Sequence, residues 1–211
     1  MRIESVRVET SGMATFVAAG GFSFSAPVSR FEAAGLSPLS FAGERETSDE
    51  EEQLIREVSE IWQARQKAIA LCARAEQCEA GLRTKLASRG FSKNAVRSAL
   101  EEMRSQGLVD DTRYARAWVS LRAAKRATGP YLLKAEMRAR GLGDEAIRAA
   151  CADFPVEEAL RRAIKIESER LNRASPAESE RKRRESLRRK LKSLGYQGDV
   201  IDVALDELGQ Q

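Results

Sequence analysis

GLVDDTRYARAWVSLRAAKRATGPYLLKAEMRARGL, residues 107–142, holds every kind of signal on which the fold depends. Gly107 ends one helix, and Asp110 and Asp111 stand where a helix start needs short side-chain acceptors for its unpaired N–H groups. A helix is predicted from Thr112, with Tyr114, Trp118 and Leu121 as its apolar stripe and Arg113, Arg116, Arg122, Lys125 and Arg126 between them. Gly129-Pro130 breaks that helix and starts another, because proline is tolerated in a first turn and nowhere deeper. Leu133 and Met137 carry the second stripe, and Arg140-Gly141-Leu142 is a glycine stop followed by an apolar residue. Asp144 is then the expected cap of a third helix.

Working outward, the same pattern recurs on both sides. Ungapped alignment of Glu79–Met103, Pro130–Phe154 and Arg184–Leu208 puts Leu82, Leu133 and Leu187 in one column, and Leu86, Met137 and Leu191 in another. Gly90, Gly141 and Gly195 coincide, each before an apolar residue, Phe91, Leu142 or Tyr196. Val96, Ile147 and Ile201 align as well, as do Ala99, Ala150 and Ala204. Two apolar helices joined by a Gly-apolar corner, three times in register, mark an internal repeat. Each copy has room for a preceding helix, near Gln66–Gln77, Thr112–Ala127 and Val156–Arg173. Units of about 50 residues bury little apolar surface alone, so neighbours are expected to stack.

Ahead of the repeats, Ser48 followed by Asp49, Glu50, Glu51 and Glu52 is a helix start: a capping hydroxyl, then carboxylates where the helix dipole favours them. Residues 2–25 alternate imperfectly, with turns at Ser11-Gly12 and Gly20-Gly21, and read as a hairpin or three short strands too small to stand alone. The fold is therefore mainly α: an elongated array of three tandem three-helix repeats with a small N-terminal β segment. The expected divisions are 1–47, β segment and linker; 48–106, N-terminal helix and first repeat; 107–155, second repeat; and 156–211, third repeat.

Aromatic residues are only 6% of the chain, in keeping with helices packed through small and aliphatic side chains. The net charge of +4 conceals an uneven distribution: residues 1–60 carry 5 basic and 11 acidic groups, residues 61–155 carry 18 and 10, and residues 156–211 carry 13 and 11. The densest run, Arg181, Lys182, Arg183, Arg184, Glu185, Ser186, Leu187, Arg188, Arg189, Lys190, Leu191 and Lys192, has eight cations and one acid. Two leucines account for its packing, so it and the Arg113–Arg126 set are the candidate contacts for an anionic partner. Tyr114 and Trp118 are aromatic enough to stack on bases, but their helical spacing favours a place in the core.

Cys72, Cys78 and Cys151 have neither metal-type nor paired spacing, and the chain has no histidine. Free thiols in a reducing cytoplasm are expected, with no metal and no cofactor. Asp110-Asp111 lacks a third ligand and reads as capping rather than chemistry. There is no phosphate loop, nucleophile elbow or dinucleotide fingerprint, and no apolar run near the roughly 20 residues that span a bilayer. A non-enzymatic, soluble protein without membrane contact is expected.

On these residues the chain resembles the bacterial RecX family of recombination regulators. The family's Gly-Leu-Ile/Val-Asp-Asp, short gap, aromatic and Ala are met by Gly107, Leu108, Val109, Asp110, Asp111, Tyr114 and Ala115. Its Gly-Pro, spaced apolar residues and Arg-Gly-apolar corner are met by Gly129, Pro130, Leu133, Met137, Arg140, Gly141 and Leu142, with Met137 where leucine is usual. The resemblance runs from about Ser48 to the C-terminus and says little about the N-terminal strands. It implies a cytoplasmic, monomeric negative regulator of the RecA recombinase, acting in recombination, repair and the SOS response. Such a protein binds the RecA nucleoprotein filament, with single- or double-stranded DNA as a further contact, and inhibits strand exchange, ATP hydrolysis and co-protease activity. A helical-repeat protein that binds nucleic acid directly is the alternative, and a protein-only scaffold a third.

Overall fold

In a computed structural model of the protein, residues 1–41, 43–174 and 179–208 are described; the side chains of 124–126 and 208 are not. The chain divides into two compact units, Met1–Val109 and Asp110–Gln211.

The first unit begins with strands β1 (Arg2–Val8), β2 (Met13–Ala18) and β3 (Phe22–Pro27) and, after helix α1 (Val28–Ala33), the two-residue β4 (Arg45–Glu46). They form one antiparallel sheet in the order β3-β2-β1-β4. Gly20 and Gly21, both at positive φ, make the tight turn between β2 and β3. Alternation along β2 buries Ala14, Phe16 and Ala18, and the Phe16 ring meets Phe31 and Phe41 edge-on at 4.9 and 5.1 Å. This core closes on Ile55, Val58 and Trp62 of helix α2 (Asp49–Cys72), so the strands do not stand alone. Ser48 caps α2 as expected: its hydroxyl accepts from the Glu51 amide at 3.1 Å while the Glu51 carboxylate accepts from the Ser48 amide at 3.0 Å.

One expectation is corrected at α2. The segment Gln66–Gln77 is not a separate helix; its first part is the end of the helix that starts at Asp49, and the helix stops at Cys72. No glycine or proline interrupts residues 49–72, and Ala64 and Ala68 are fully buried, so one long rod packs on the sheet with its N-terminal half and on the first repeat with the rest.

Helices α3 (Glu79–Ala87) and α4 (Lys93–Ser105) complete the first repeat. Leu82, Leu86, Val96, Leu100 and Met103 form its core with Ala68 and Val109, and Ala64, Ala95 and Ala99 form a second, small-residue contact. The second unit contains α5 (Asp111–Arg126), α6 (Pro130–Ala139) and α7 (Asp144–Cys151), then α8 (Val156–Ala174), α9 (Glu180–Ser193) and α10 (Gly198–Leu208). Leu160, Ala163, Ile164, Leu187, Leu191, Tyr196, Ile201 and Leu205 pack together in its later half.

The aligned columns are structurally equivalent. Gly90, Gly141 and Gly195 have φ of 86°, 80° and 90°, the left-handed region that glycine enters without the steric cost of a Cβ. The amide after each glycine donates to a carbonyl five residues back: Phe91 to Leu86 at 3.4 Å, Leu142 to Met137 at 3.3 Å and Tyr196 to Leu191 at 3.3 Å. Together with the glycine amides bonded to Ala87, Arg138 and Lys192, this is the same helix stop three times.

Two local expectations are also corrected. Among the described side chains of α5 the buried ones are Ala115 and Val119; Tyr114 and Trp118 are half-buried and Leu121 is 45% exposed, so the stripe lies one position along from the one predicted. Small side chains there let α7 approach closely, and the larger rings are displaced to the edge of the contact. Asp144 does not cap α7: Gly143 occupies the cap position, and the Asp144 carboxylate accepts from Arg138 Nε at 3.1 Å.

Candidate partner-binding surface

Asp110 caps α5, its Oδ1 accepting from the amides of Thr112 at 2.8 Å and Arg113 at 3.0 Å. The Arg113 amide, followed by that of Thr112, holds the Asp110 carboxyl below its ordinary range. The Asp110 carboxylate is thus occupied by helix capping. Beyond it, Arg113 and Arg116 project into solvent from the first two turns of α5.

Arg122 is placed differently. Its Nε donates to Glu136 Oε2 on α6 at 2.7 Å, its second nitrogen pairs with Glu136 Oε1, and both side chains are largely buried. The indole N–H of Trp118 donates to the same Oε2 at 3.2 Å, and the Trp118 ring carries the guanidiniums of Arg140 at 3.6 Å and Arg122 at 5.0 Å. Trp118 and Arg122 therefore fasten α5 to α6. The side chains of Lys125 and Arg126 lie outside the described residues.

A related cluster holds the first unit together. Arg30 and Arg65 both pair with Glu102, and their guanidiniums lie over the Trp62 ring at 5.0 and 5.6 Å. Burial pushes the Glu102 carboxyl up, but the two arginines outweigh it and hold it below its ordinary range.

The basic run on α9 divides in the same way. Arg188 makes a bidentate pair with Asp202 of α10 at 2.6 and 2.7 Å, and Arg184 pairs with Asp206 one turn further along. The Arg188 hydrogen bond lowers the Asp202 carboxyl from its ordinary value. Arg183 is half-buried, and Arg181 lies 3.6 Å from Glu185 in an exposed pair worth little in stability. Lys182, Arg189, Lys190 and Lys192 are exposed, and Arg189 donates to Ser186 Oγ at 3.2 Å. Among the described residues of the predicted set, the exposed cations outside the inter-helix pairs just named are Arg113 and Arg116 on α5, and Arg181, Lys182, Arg189, Lys190 and Lys192 on α9. Arg122, Arg184 and Arg188 are held in pairs between helices.

A contact between the second and third repeats has no counterpart in the sequence reading. The amide of Gly129 donates to the Leu194 carbonyl at 2.7 Å and that of Tyr131 to the Gly195 carbonyl at 3.1 Å. The start of α6 thereby satisfies the carbonyls of the corner that follows α9. A Cβ on Gly129 would lie 2.6 Å from the Gly195 oxygen, so both corners need glycine for close approach. The proline after Gly129 marked a helix start, but nothing local to it names the partner 66 residues away.

Among the described residues there is no group of three or more His, Cys, Asp or Glu side chains able to hold a metal ion. No described helix is long and apolar enough to cross a membrane.

Comparison with known proteins places this geometry in a family. The RecX first three-helix domain matches residues 64–103, from the end of α2 through α4, and the RecX second three-helix domain matches residues 110–150, α5 to α7. Regulatory protein RecX of Halorhodospira halophila is 33% identical over 142 residues, 66% of this chain and 84% of the relative. The chain belongs to the RecX family. RecX of Thermus thermophilus is 41% identical over 93 residues, 44% of this chain and 63% of the relative. RecX of Xanthomonas axonopodis pv. citri is 39% identical over 89 residues, 42% of this chain, and the chain spans 54% of that relative's length. A crystal structure of regulatory protein RecX shares the fold at a TM-score of 0.76 and 20% identity, covering 97% of this chain and 98% of that one. The structure of RecX from Lactobacillus salivarius gives 0.65 at 18% identity, over 72% and 98%. The two RecX helical domains coincide with the first two repeats, and the exposed cations of α9 lie beyond both matches.

Proposed function

We propose that this protein is a negative regulator of the RecA recombinase, binding the RecA–DNA filament and inhibiting strand exchange, ATP hydrolysis and co-protease activity. Membership of a family whose named relatives are regulatory proteins carries the reading. The exposed cations on α5 and α9 support it by supplying charge for an anionic surface. Inhibition acts by occlusion and destabilisation of the filament: many weak, salt-screened contacts hold the protein along it rather than one deep pocket. The test is RecA ATP hydrolysis on single-stranded DNA titrated with the protein. Dose-dependent inhibition that weakens at higher salt is expected, and unchanged hydrolysis at saturating protein would refute the reading.

A further inference from the structure

The aromatic ring that the second repeat leaves in solvent is Tyr131. It is 59% exposed, whereas Tyr114 and Trp118 are half-buried and Tyr196 is 4% exposed. Its backbone is anchored, because the Tyr131 amide donates to the Gly195 carbonyl in the first turn of α6. Its hydroxyl lies 3.4 Å from Gln197 Oε1, in the corner between α9 and α10.

Cations stand on both sides of this ring. Gly198 follows Gln197, and a Cβ built there would lie 3.3 Å from Lys192 Cε and 3.6 Å from its Nζ, so the lysine side chain runs over the corner that touches Tyr131. In the other direction Tyr131, Ala135 and Arg138 share the exposed face of α6. Ala135 leaves the approach to the ring open. Arg138 keeps 60% of its side chain in solvent beside Asp144, an exposed pair that screens readily.

We propose that the strip Arg138, Ala135, Tyr131, Gln197, Lys192 is a binding site for single-stranded nucleic acid. One base stacks on the Tyr131 ring, the Gln197 amide meets its edge, and neighbouring phosphates lie at Lys192 and Arg138. Every base offers a π face, so such a platform tolerates sequence, and flanking cations hold the backbone. A protein partner would call for further apolar side chains around the ring, and here the named neighbours are a small residue, an amide and cations. A duplex keeps its bases stacked internally and has none to offer.

The site is independent of the RecA reading, and its test contains no RecA, so either can fail alone. Fluorescence anisotropy would compare a labelled 20-nucleotide oligo-dT with an abasic strand of equal length, against wild type, Tyr131→Phe and Tyr131→Ala, each checked for native helix content. Wild type and Tyr131→Phe are expected to bind oligo-dT about fivefold or more tightly than the abasic strand. Tyr131→Ala is expected to bind both strands alike, at the abasic level, and Lys192→Gln to weaken both equally. Equal binding of the two strands by wild type overturns the proposal, as does a preference that survives in Tyr131→Ala. The wild-type comparison decides even if the alanine variant misfolds.

Discussion

The hydroxyl of Tyr196 donates to the backbone carbonyl of Ala127 at 2.9 Å, buried and across 69 residues of sequence. Ala127 follows the end of α5 with φ of 49°, a left-handed alanine, so the carbonyl that Tyr196 reaches belongs to a strained turn. The bond joins the third repeat's corner to the helix break of the second. Tyr196→Phe leaves that carbonyl unsatisfied and is expected to cost about 1 to 3 kcal/mol, read by chemical denaturation of the whole chain.

The same residue sets an alkaline limit. Burial pushes the Tyr196 hydroxyl up to about 12, whereas in the unfolded chain it titrates near the ordinary value of about 10. Stability from this group is complete below about pH 10 and is lost as pH rises toward 12, because only the unfolded chain ionises there. Denaturation midpoints measured between pH 9 and about 12 are expected to fall more steeply for wild type than for Tyr196→Phe.

Glycine is required for different reasons at equivalent corners. At Gly90 an added Cβ meets open space, so Gly90→Ala bears only the left-handed strain, about 1 to 2 kcal/mol. At Gly195 the same Cβ would collide with Leu132 backbone and Cβ atoms, and at Gly129 with the Gly195 carbonyl. Gly195→Ala and Gly129→Ala are expected to lower the midpoint well beyond Gly90→Ala. Equal effects at the three positions would mean that the second and third repeats do not pack through these corners.

Leu133 is fully buried in the column it shares with Leu82 and Leu187. Leu133→Ala is expected to cost about 2 to 5 kcal/mol from lost burial and the cavity left behind. An unchanged midpoint would show that α6 does not present this face to the core.

What could be read in the sequence was what repeats locally. The three glycine corners, the Ser48 cap and the Leu82, Leu133 and Leu187 column depend on spacing within one turn or one helix, and the structure has each of them. What escaped depends on residues far apart in sequence. Trp118 and Arg122 resemble a core aromatic and a surface cation until Glu136, on another helix, takes up both. Arg184 and Arg188 belong to an unbroken basic run, and only the approach of α10 shows that Asp206 and Asp202 neutralise one side of it. The shift of the α5 stripe to Ala115 and Val119 follows from helix separation, which a period does not encode. Tyr131 had no signal except its place after Pro130.

This division of the cations gives opposite outcomes for two sets of substitutions. Arg122→Gln is expected to lower stability by breaking a largely buried pair and stranding Glu136. Replacing Arg113, Arg116, Lys182, Arg189, Lys190 and Lys192 together by glutamine is expected to leave the denaturation midpoint within about 0.5 kcal/mol per site and to abolish most inhibition of RecA ATP hydrolysis. The variant's deficit relative to wild type is expected to be largest at low salt and to narrow as salt rises, since each lost contact is weak and screened. Undiminished inhibition by the sixfold variant would place the contact elsewhere on the protein.

Co-sedimentation tests most directly whether the assembled filament is the target. Equal lengths of single-stranded DNA, bare and coated with RecA under ATP, are pelleted with the protein near physiological salt and the bound fraction is measured. The protein is expected to pellet preferentially with the RecA-coated strand. Equal recovery on bare and coated DNA, or preference for the bare strand, would contradict it and leave direct nucleic-acid binding as the function.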